Sequence, residues 1–73
     1  MSENVYGMTH VVGSSSQGLA QAIDNAIATA AESVRNLEWF EVAETRGHIE
    51  NGRVAHYQVV LKLGFRYERK QAQ

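Results

Sequence analysis

The most regular pattern in the chain is an alternation of apolar and polar side chains from Val54 to Glu68. One set of alternate positions is apolar and comprises Ala55, Tyr57, Val59, Leu61, Leu63, Phe65 and Tyr67. The other set is mostly polar and comprises His56, Gln58, Lys62, Arg66 and Glu68, together with Val60 and Gly64. A period of two residues is typical of a strand with one buried face, so we predict a long strand over this segment.

Two further strands are predicted from composition and from turn residues. Asn51-Gly52 is the strongest hairpin signal in the chain, and it separates the long strand from a β-type segment at Glu38–Ile49. Residues Val5–Val12 have the aromatic and branched side chains of a strand, although their alternation is imperfect. The Asn-Gly signal predicts that the second and third strands form an antiparallel hairpin.

A helix is predicted between the first two strands, over about Gln17–Arg35. Apolar side chains recur there at steps of three and four residues: Leu19, Ala22, Ile23, Ala26, Ile27, Ala30, Val34 and Leu37. The glycine and three serines at 13–16 are expected to end the first strand and to cap this helix. Ser14 with Gln17 fits a capping box, and the next two serines fit the N-cap position equally well. Arg35 is expected in the last turn, where the helix dipole favours a cation.

These elements predict an α+β domain of two layers in the order β-α-β-β, with a three-stranded antiparallel sheet wrapped around one helix. A helix of about 19 residues spans ~29 Å, whereas a strand of about 15 residues spans ~50 Å. The helix is therefore too short to cover the apolar face of the long strand. We expect the strand to bend around the helix, or a second subunit to cover the remainder. The opposite face of the sheet is expected to stay open for a partner or a ligand.

Length and composition favour a single small domain, residues 1–73, that associates with copies of itself. The chain has 73 residues, 44% of them hydrophobic, and no cysteine, so no disulfide compensates for the small core. Residues 69–73 are a polar tail that we expect to fray. A formal net charge of −1 does not provide the positively charged surface that nucleic-acid binding usually requires. We recognise no membrane span and no signal peptide, and expect a soluble, cytoplasmic protein.

Trp39, the only tryptophan, lies where the helix gives way to the second strand. Strict alternation places Trp39 on the other face of the strand from Phe40 and Val42, so its indole points away from the core if those two side chains point into it. An indole on the open face of the sheet offers a large flat surface to a ring-shaped ligand. The alternative is that Trp39 packs in the core or in an interface.

Five segments of the chain carry a resemblance to a known family. They are residues 12–15 (Val-Gly-Ser-Ser), 36–42 (Asn-Leu-Glu-Trp-Phe-Glu-Val), 46–49 (Arg-Gly-His-Ile), 54–59 (Val-Ala-His-Tyr-Gln-Val) and 62–66 (Lys-Leu-Gly-Phe-Arg). From Val5 to Tyr67 the chain resembles the dodecins, which are small flavin-binding proteins. Gly7 and His10 depart from the pattern, because many relatives carry Lys and Glu there. The resemblance implies a β-α-β-β subunit, a hollow homododecamer, and storage of flavins rather than catalysis.

The resemblance also implies how a flavin is held. Flavins bind in pairs at subunit interfaces, stacked between tryptophans of neighbouring subunits, and this role falls on Trp39. The amide that recognises the edge of the isoalloxazine ring falls on Gln58, whose carboxamide offers both a donor and an acceptor. Because an indole in contact with the ring is an electron donor, we predict that Trp39 quenches the photochemistry of the flavin.

Basic contacts to the ligand fall on Arg46 and Arg66, and His48 is expected to have a supporting role beside Arg46. The expected ligand is FMN, riboflavin or FAD. Some dodecins carry a carboxylate where this chain has Arg46, so the arginine points to the bacterial type, which favours phosphorylated flavins. Coenzyme A is a further ligand that the resemblance allows.

One part of this assignment conflicts with simple alternation. Counting in twos along the second strand places Arg46 on the side of Phe40 and Val42, and away from Trp39. A β-bulge, or a strand end that extends beyond the helix, would bring Arg46 to the face of Trp39.

Other functions receive less support from the residues. His10, His48 and His56 lack a standard zinc spacing, so no metal site is predicted. The sequence has no dinucleotide fingerprint and no spacing that favours a nucleophile triad, so we do not expect an enzyme, and a small flavin reductase is only a third hypothesis. The main alternative to flavin storage is a structural or protein-interaction module that uses the open sheet face.

Overall fold

The computed structural model describes residues 3–68, which form three strands and one helix in the order β-α-β-β. Strand β1 is Tyr6–Ser15, helix α1 is Leu19–Ala31, strand β2 is Leu37–Glu50 and strand β3 is Arg53–Arg66. The sheet order is β1-β3-β2, and both neighbouring pairs are antiparallel. The predicted α+β class and two-layer architecture are confirmed. No helix within the described residues is long and apolar enough to cross a membrane.

The core lies between helix α1 and the central strand β3. Val59, Leu61 and Leu63 of β3 are completely or almost completely buried, and they meet Ala22 and Ala26 of the helix. The two alanines are small, so the helix can approach the sheet closely. The alternation predicted for the third strand is confirmed, because its buried side chains occupy every second position.

The predicted hairpin turn is also confirmed. Asn51 and Gly52 connect β2 to β3, and both have positive φ angles, of 53° and 74°. A two-residue turn with positive φ at both positions matches the twist of antiparallel strands, and glycine and asparagine adopt it most readily.

The prediction for the end of the first strand was wrong. Strand β1 continues for three residues past Val12, and Gly13 pairs with Val59 in the sheet. A side chain at position 13 would overlap the backbone carbonyl of Ala22, so glycine is needed where the helix crosses the strand. The glycine therefore serves close packing and does not end the strand.

The predicted helix cap was also wrong, because strand β1 continues to Ser15. The residue at the N-cap is Gly18, and no side chain caps the helix. Ser14 lies within strand β1 and is therefore too early in the chain to form the capping box with Gln17. The Ser15 hydroxyl instead accepts a hydrogen bond of 2.9 Å from the backbone amide of Gln17, which turns the chain from strand to helix.

Helix α1 is shorter than predicted, because it ends at Ala31 and not at Arg35. Arg35 lies outside the last helical turn and forms an exposed ion pair with Glu68, with a distance of 3.1 Å between Nη2 and Oε2. Asn36 then takes a positive φ of 63° and leads into β2. The apolar positions beyond Ala31 that suggested a longer helix belong to this corner and to the start of the strand.

The short helix leaves part of the sheet uncovered on the helix side. At 13 residues it is ~20 Å long, whereas β2 and β3 have 14 residues each and span ~46 Å. The helix packs on β1 and β3, so apolar side chains of the β2–β3 hairpin stay exposed. We call the following residues the uncovered apolar strip: Phe40 (46% exposed), Val42 (46%), Ile49 (69%) and Val54 (52%).

Candidate functional site

The face of the sheet that points away from helix α1 carries every residue that the sequence selected as a ligand contact. The core residues of β3 are odd-numbered, so its even-numbered residues from His56 to Arg66 point to this open face. A second register shift, between His48 and Ile49, skips Ala55 and leaves Val54 on the helix side. Directly opposed residues of neighbouring strands share a face. Trp39 is opposite Gly64 and His48 is opposite His56. The predicted contacts on the open face are Trp39, Arg46, His48, Gln58 and Arg66.

A β-bulge brings Arg46 to the open face. The register between β2 and β3 shifts between Val42 and Glu44, so that Val42 opposes Leu61 on the core side while Arg46 opposes Gln58. One extra residue in β2 reverses the side on which every later residue of the strand points. Of the two explanations that the sequence left open for Arg46, the β-bulge is the one present.

Trp39 lies flat on the sheet at the corner where β2 begins. A Cβ atom added to Gly64 would overlap the six-membered ring of the indole, so the glycine provides the space that the indole occupies. The ring of Tyr6 stands edge-on to the indole, with 5.3 Å between centroids and 67° between planes. Trp39 is 41% exposed. The indole is thus supported from beneath and from one side, and its outer surface is available.

An ion pair flanks this indole. Arg66 Nη1 lies 3.2 Å from Glu38 Oε2, and both side chains are a little over one-third exposed. The backbone of Arg66 is anchored to Asn36, whose carbonyl accepts from the Arg66 amide and whose side-chain amide donates to the Arg66 carbonyl. We call Tyr6, Glu38, Trp39, Gly64 and Arg66 the tryptophan corner.

A second group of polar side chains lies further along the hairpin. Arg46 Nε donates a hydrogen bond of 3.0 Å to Gln58 Oε1, and Arg46 Nη1 donates one of 2.7 Å to Glu44 Oε1. Glu44 is not among the ligand contacts predicted from the sequence. The signal that could have identified Glu44 is its position two residues before Arg46, because residues two apart on a strand share a face. The three side chains form a chain of contacts that orients the Gln58 amide.

His48 belongs to the same group. Its ring stacks on that of His56, with centroids 6.4 Å apart and planes at 26°. His48 Nε2 also lies 3.3 Å from Glu50 Oε2. Within residues 3–68 no cluster of three or more His, Asp or Glu side chains is arranged to hold a metal ion. We call Glu44, Arg46, His48, His56 and Gln58 the amide cluster.

The two groups are well separated within one chain. Trp39 opposes Gly64 and Arg46 opposes Gln58, and positions 64 and 58 are six residues apart on β3. At the rise of a strand, six residues correspond to about 20 Å. A single fused-ring ligand is shorter than this, so it cannot touch the tryptophan corner and the amide cluster of the same chain.

Comparison with known proteins identifies the family. Residues 5–68 match the family model of the dodecins. The chain belongs to the dodecin family. A dodecin of Thermus thermophilus is 50% identical over 64 residues, which are 88% of this chain and 93% of the relative.

Solved dodecin structures agree closely with this fold. A dodecin from Streptomyces davaonensis superposes with a TM-score of 0.91 at 46% identity and covers 93% of this chain and 100% of its own. A dodecin from Streptomyces coelicolor gives a TM-score of 0.90 at 53% identity, covering 96% of this chain and 100% of its own. The β-α-β-β architecture is thus that of the dodecins.

Proposed function

We propose that this protein binds and stores flavins (FMN, riboflavin or FAD) as stacked pairs between Trp39 side chains of neighbouring subunits. The observation that carries the proposal is the exposed Trp39 indole, which lies flat over Gly64 on the open face of the sheet. Membership of the dodecin family supports it, because the resemblance implies this ligand and this residue. Storage, and not turnover, is the function that the family resemblance favours.

The residues of both clusters fit the chemistry of a flavin. A bound flavin supplies a flat, light-absorbing ring system that accepts electrons. The indole of Trp39 provides a stacking surface of matching shape and can donate an electron to an excited ring in contact with it. The amide nitrogen of Gln58 has two N–H donors for ring acceptors, since its oxygen is the atom that contacts Arg46. Arg66 lies beside the indole as a cation for polar parts of the ligand.

The distance between the two clusters makes self-association part of the proposal. Because about 20 Å separates Trp39 from Gln58 along the strand, both can act on one ring only if they come from different copies of the chain. The ligand site is then complete only between subunits. The number of subunits in the proposed homododecamer follows from the family resemblance alone.

The uncovered apolar strip supports the same conclusion. The strip is an exposed apolar surface formed by Phe40, Val42, Ile49 and Val54. Small monomeric proteins rarely expose apolar surface of this kind. A chain of 73 residues also buries a small core, and burial of this strip against a second copy would add to its stability. We propose that neighbouring subunits cover the strip.

Ile49→Lys is expected to reduce the assembly to smaller species, because it places a charge at the most exposed member of the strip, which is 69% exposed. Size-exclusion chromatography with light scattering measures the mass. Ala28→Lys adds the same charge at an exposed position on the helix and should keep the parent mass. An Ile49→Lys protein with the mass of the parent would contradict the proposed role of the strip.

Addition of FMN to the purified, ligand-free protein tests the function directly. We expect quenching of flavin fluorescence, and a native mass spectrum that shows an oligomer carrying one flavin per chain. A spectrum and a mass that do not change on addition of FMN or riboflavin would rule out flavin storage. Coenzyme A is not part of the proposal, because no feature of the described residues favours it.

A further inference from the structure

Gly64 is buried, although it belongs to the open face of the sheet. The indole of Trp39 covers it there, because the three atoms nearest to the position of an added Cβ are all atoms of the indole ring. Trp39 is nevertheless 41% exposed. One face of the indole therefore rests on the glycine, and the other face is free to contact a ligand.

The backbone does not require glycine at position 64. Its φ angle is not positive, so an alanine can adopt the same conformation. Gly64 lies in the central strand and is paired on both sides, with Met8 of β1 and with Trp39 of β2. A glycine inside a strand weakens it, because glycine adds backbone freedom and has no side chain to pack. The missing side chain therefore serves the indole and not the strand.

A methyl group at position 64 would change where the indole lies. A methyl carbon and a ring carbon pack at about 3.5–4.0 Å, and the added Cβ would lie well inside that distance. The backbone of β3 is held by a strand on each side, whereas an exposed side chain can move. The ring of Tyr6, whose centroid is 5.3 Å away, blocks movement to one side. The indole would therefore move outward, into the space that a stacked ring needs.

We propose that Gly64 is a positioning residue, which keeps the Trp39 indole against the sheet and so sets the width of the slot in which flavins stack. The ligand contacts the indole and not the glycine, so Gly64 acts through Trp39 alone. The contact concerns the ring system, which FMN and riboflavin share. This inference rests on the proposed function, in which the flavin pair lies between two such indoles, so that an outward move narrows the slot from both sides.

Gly64→Ala is expected to weaken the binding of FMN and of riboflavin alike, by at least about three-fold, because the indole is no longer held in place for the ring. Isothermal calorimetry measures both affinities. The Tm should stay within about 5 °C of the parent, since alanine favours the strand while the indole loses its contact with the glycine. A glycine needed only for the fold would instead lower the Tm together with the affinity.

The position of the indole can also be followed without a flavin. Trp39 is the only tryptophan, so tryptophan emission reports this side chain alone. In Gly64→Ala the acrylamide quenching constant should rise, because the indole face that rested on the glycine becomes accessible. Gly7→Ala is the matched control: its Cβ would also meet an aromatic ring, 2.6 Å from Phe65 Cζ, but on the helix side of the sheet. It should leave the quenching constant and both affinities unchanged.

A double-mutant cycle tests whether Gly64 acts through Trp39. In a Trp39→Ala protein, Gly64→Ala should have no further effect on affinity. If Gly64→Ala alone does not fold, the double variant should fold, because the overlap with the indole is gone. The inference is overturned if Gly64→Ala keeps the affinity and the acrylamide quenching of the parent, if it weakens binding as much without the indole, or if the double variant also fails to fold. Failure of the parent to bind either flavin would instead overturn the proposed function, and the acrylamide comparison would still test the position of the indole.

Discussion

Trp39→Ala is expected to weaken flavin binding by roughly five- to 150-fold and to abolish most of the fluorescence quenching. Stacking of a heterocycle on an aromatic side chain contributes about 1–3 kcal/mol, and each 1.4 kcal/mol is about a factor of ten in affinity. The indole supports no core residue, since it lies on the open face over Gly64. Its removal should therefore leave the fold and the assembly intact.

Trp39→Phe separates the two roles of the indole. A phenyl ring still stacks but is a much poorer electron donor, so this variant should keep part of the affinity and lose most of the quenching. Titration by isothermal calorimetry gives the affinity independently of fluorescence, and the fluorescence lifetime of the bound flavin gives the quenching. If Trp39→Ala binds and quenches as well as the parent, the indole is not the stacking surface.

The parts of the fold that could be predicted were those specified by local signals. The alternation around Val59 and Leu61 sets the buried face of the third strand whatever surrounds it. Asn51-Gly52 determines its turn because both residues tolerate positive φ. Such signals depend only on residues that are close together in the chain, so the sequence alone is enough to recognise them.

The errors occurred where a contact between distant residues decides the structure. Gly13 suggested a break in the strand, but it is a strand residue that leaves space for the Ala22 carbonyl of the helix. The helix ends at Ala31 because the chain turns there into β2, although the apolar spacing continues to Leu37. Neither the crossing of helix and strand nor the corner is visible in local periodicity.

The candidate site likewise has features that local patterns predict and features that only contacts in the folded chain determine. The open-face position of Trp39 followed from its alternation with Phe40, and the register with β3 agrees. The position of Arg46 depends on the bulge between Val42 and Glu44, which the sequence offered as one of two explanations but could not locate. Glu44 was missed because its contact with Arg46 exists only once the bulge has formed. The roles of these residues in flavin binding stay predictions.

Gly13→Ala is expected to have the largest effect on stability. Its Cβ would overlap the backbone carbonyl of Ala22 and would lie 2.8 Å from the Ala26 Cβ. Both belong to the face of the helix that forms the core, and backbone cannot rotate away as a flexible side chain can. The helix must shift away from the sheet and loosen its contact with Val59. Overpacking of this kind costs about 1–3 kcal/mol.

In a domain of this size that cost corresponds to a fall in Tm of about 5–20 °C. Thermal unfolding followed by circular dichroism measures it, at one protein concentration because assembly stabilises the folded subunit. Ser14→Ala is the neighbouring control: Ser14 is exposed, and it accepts the hydrogen bond from Asn25 through its backbone carbonyl, which alanine retains. The control should change stability by no more than about 0.5 kcal/mol. A Gly13→Ala protein that melts with the parent would show that the helix does not pack on the strand as closely as this structure requires.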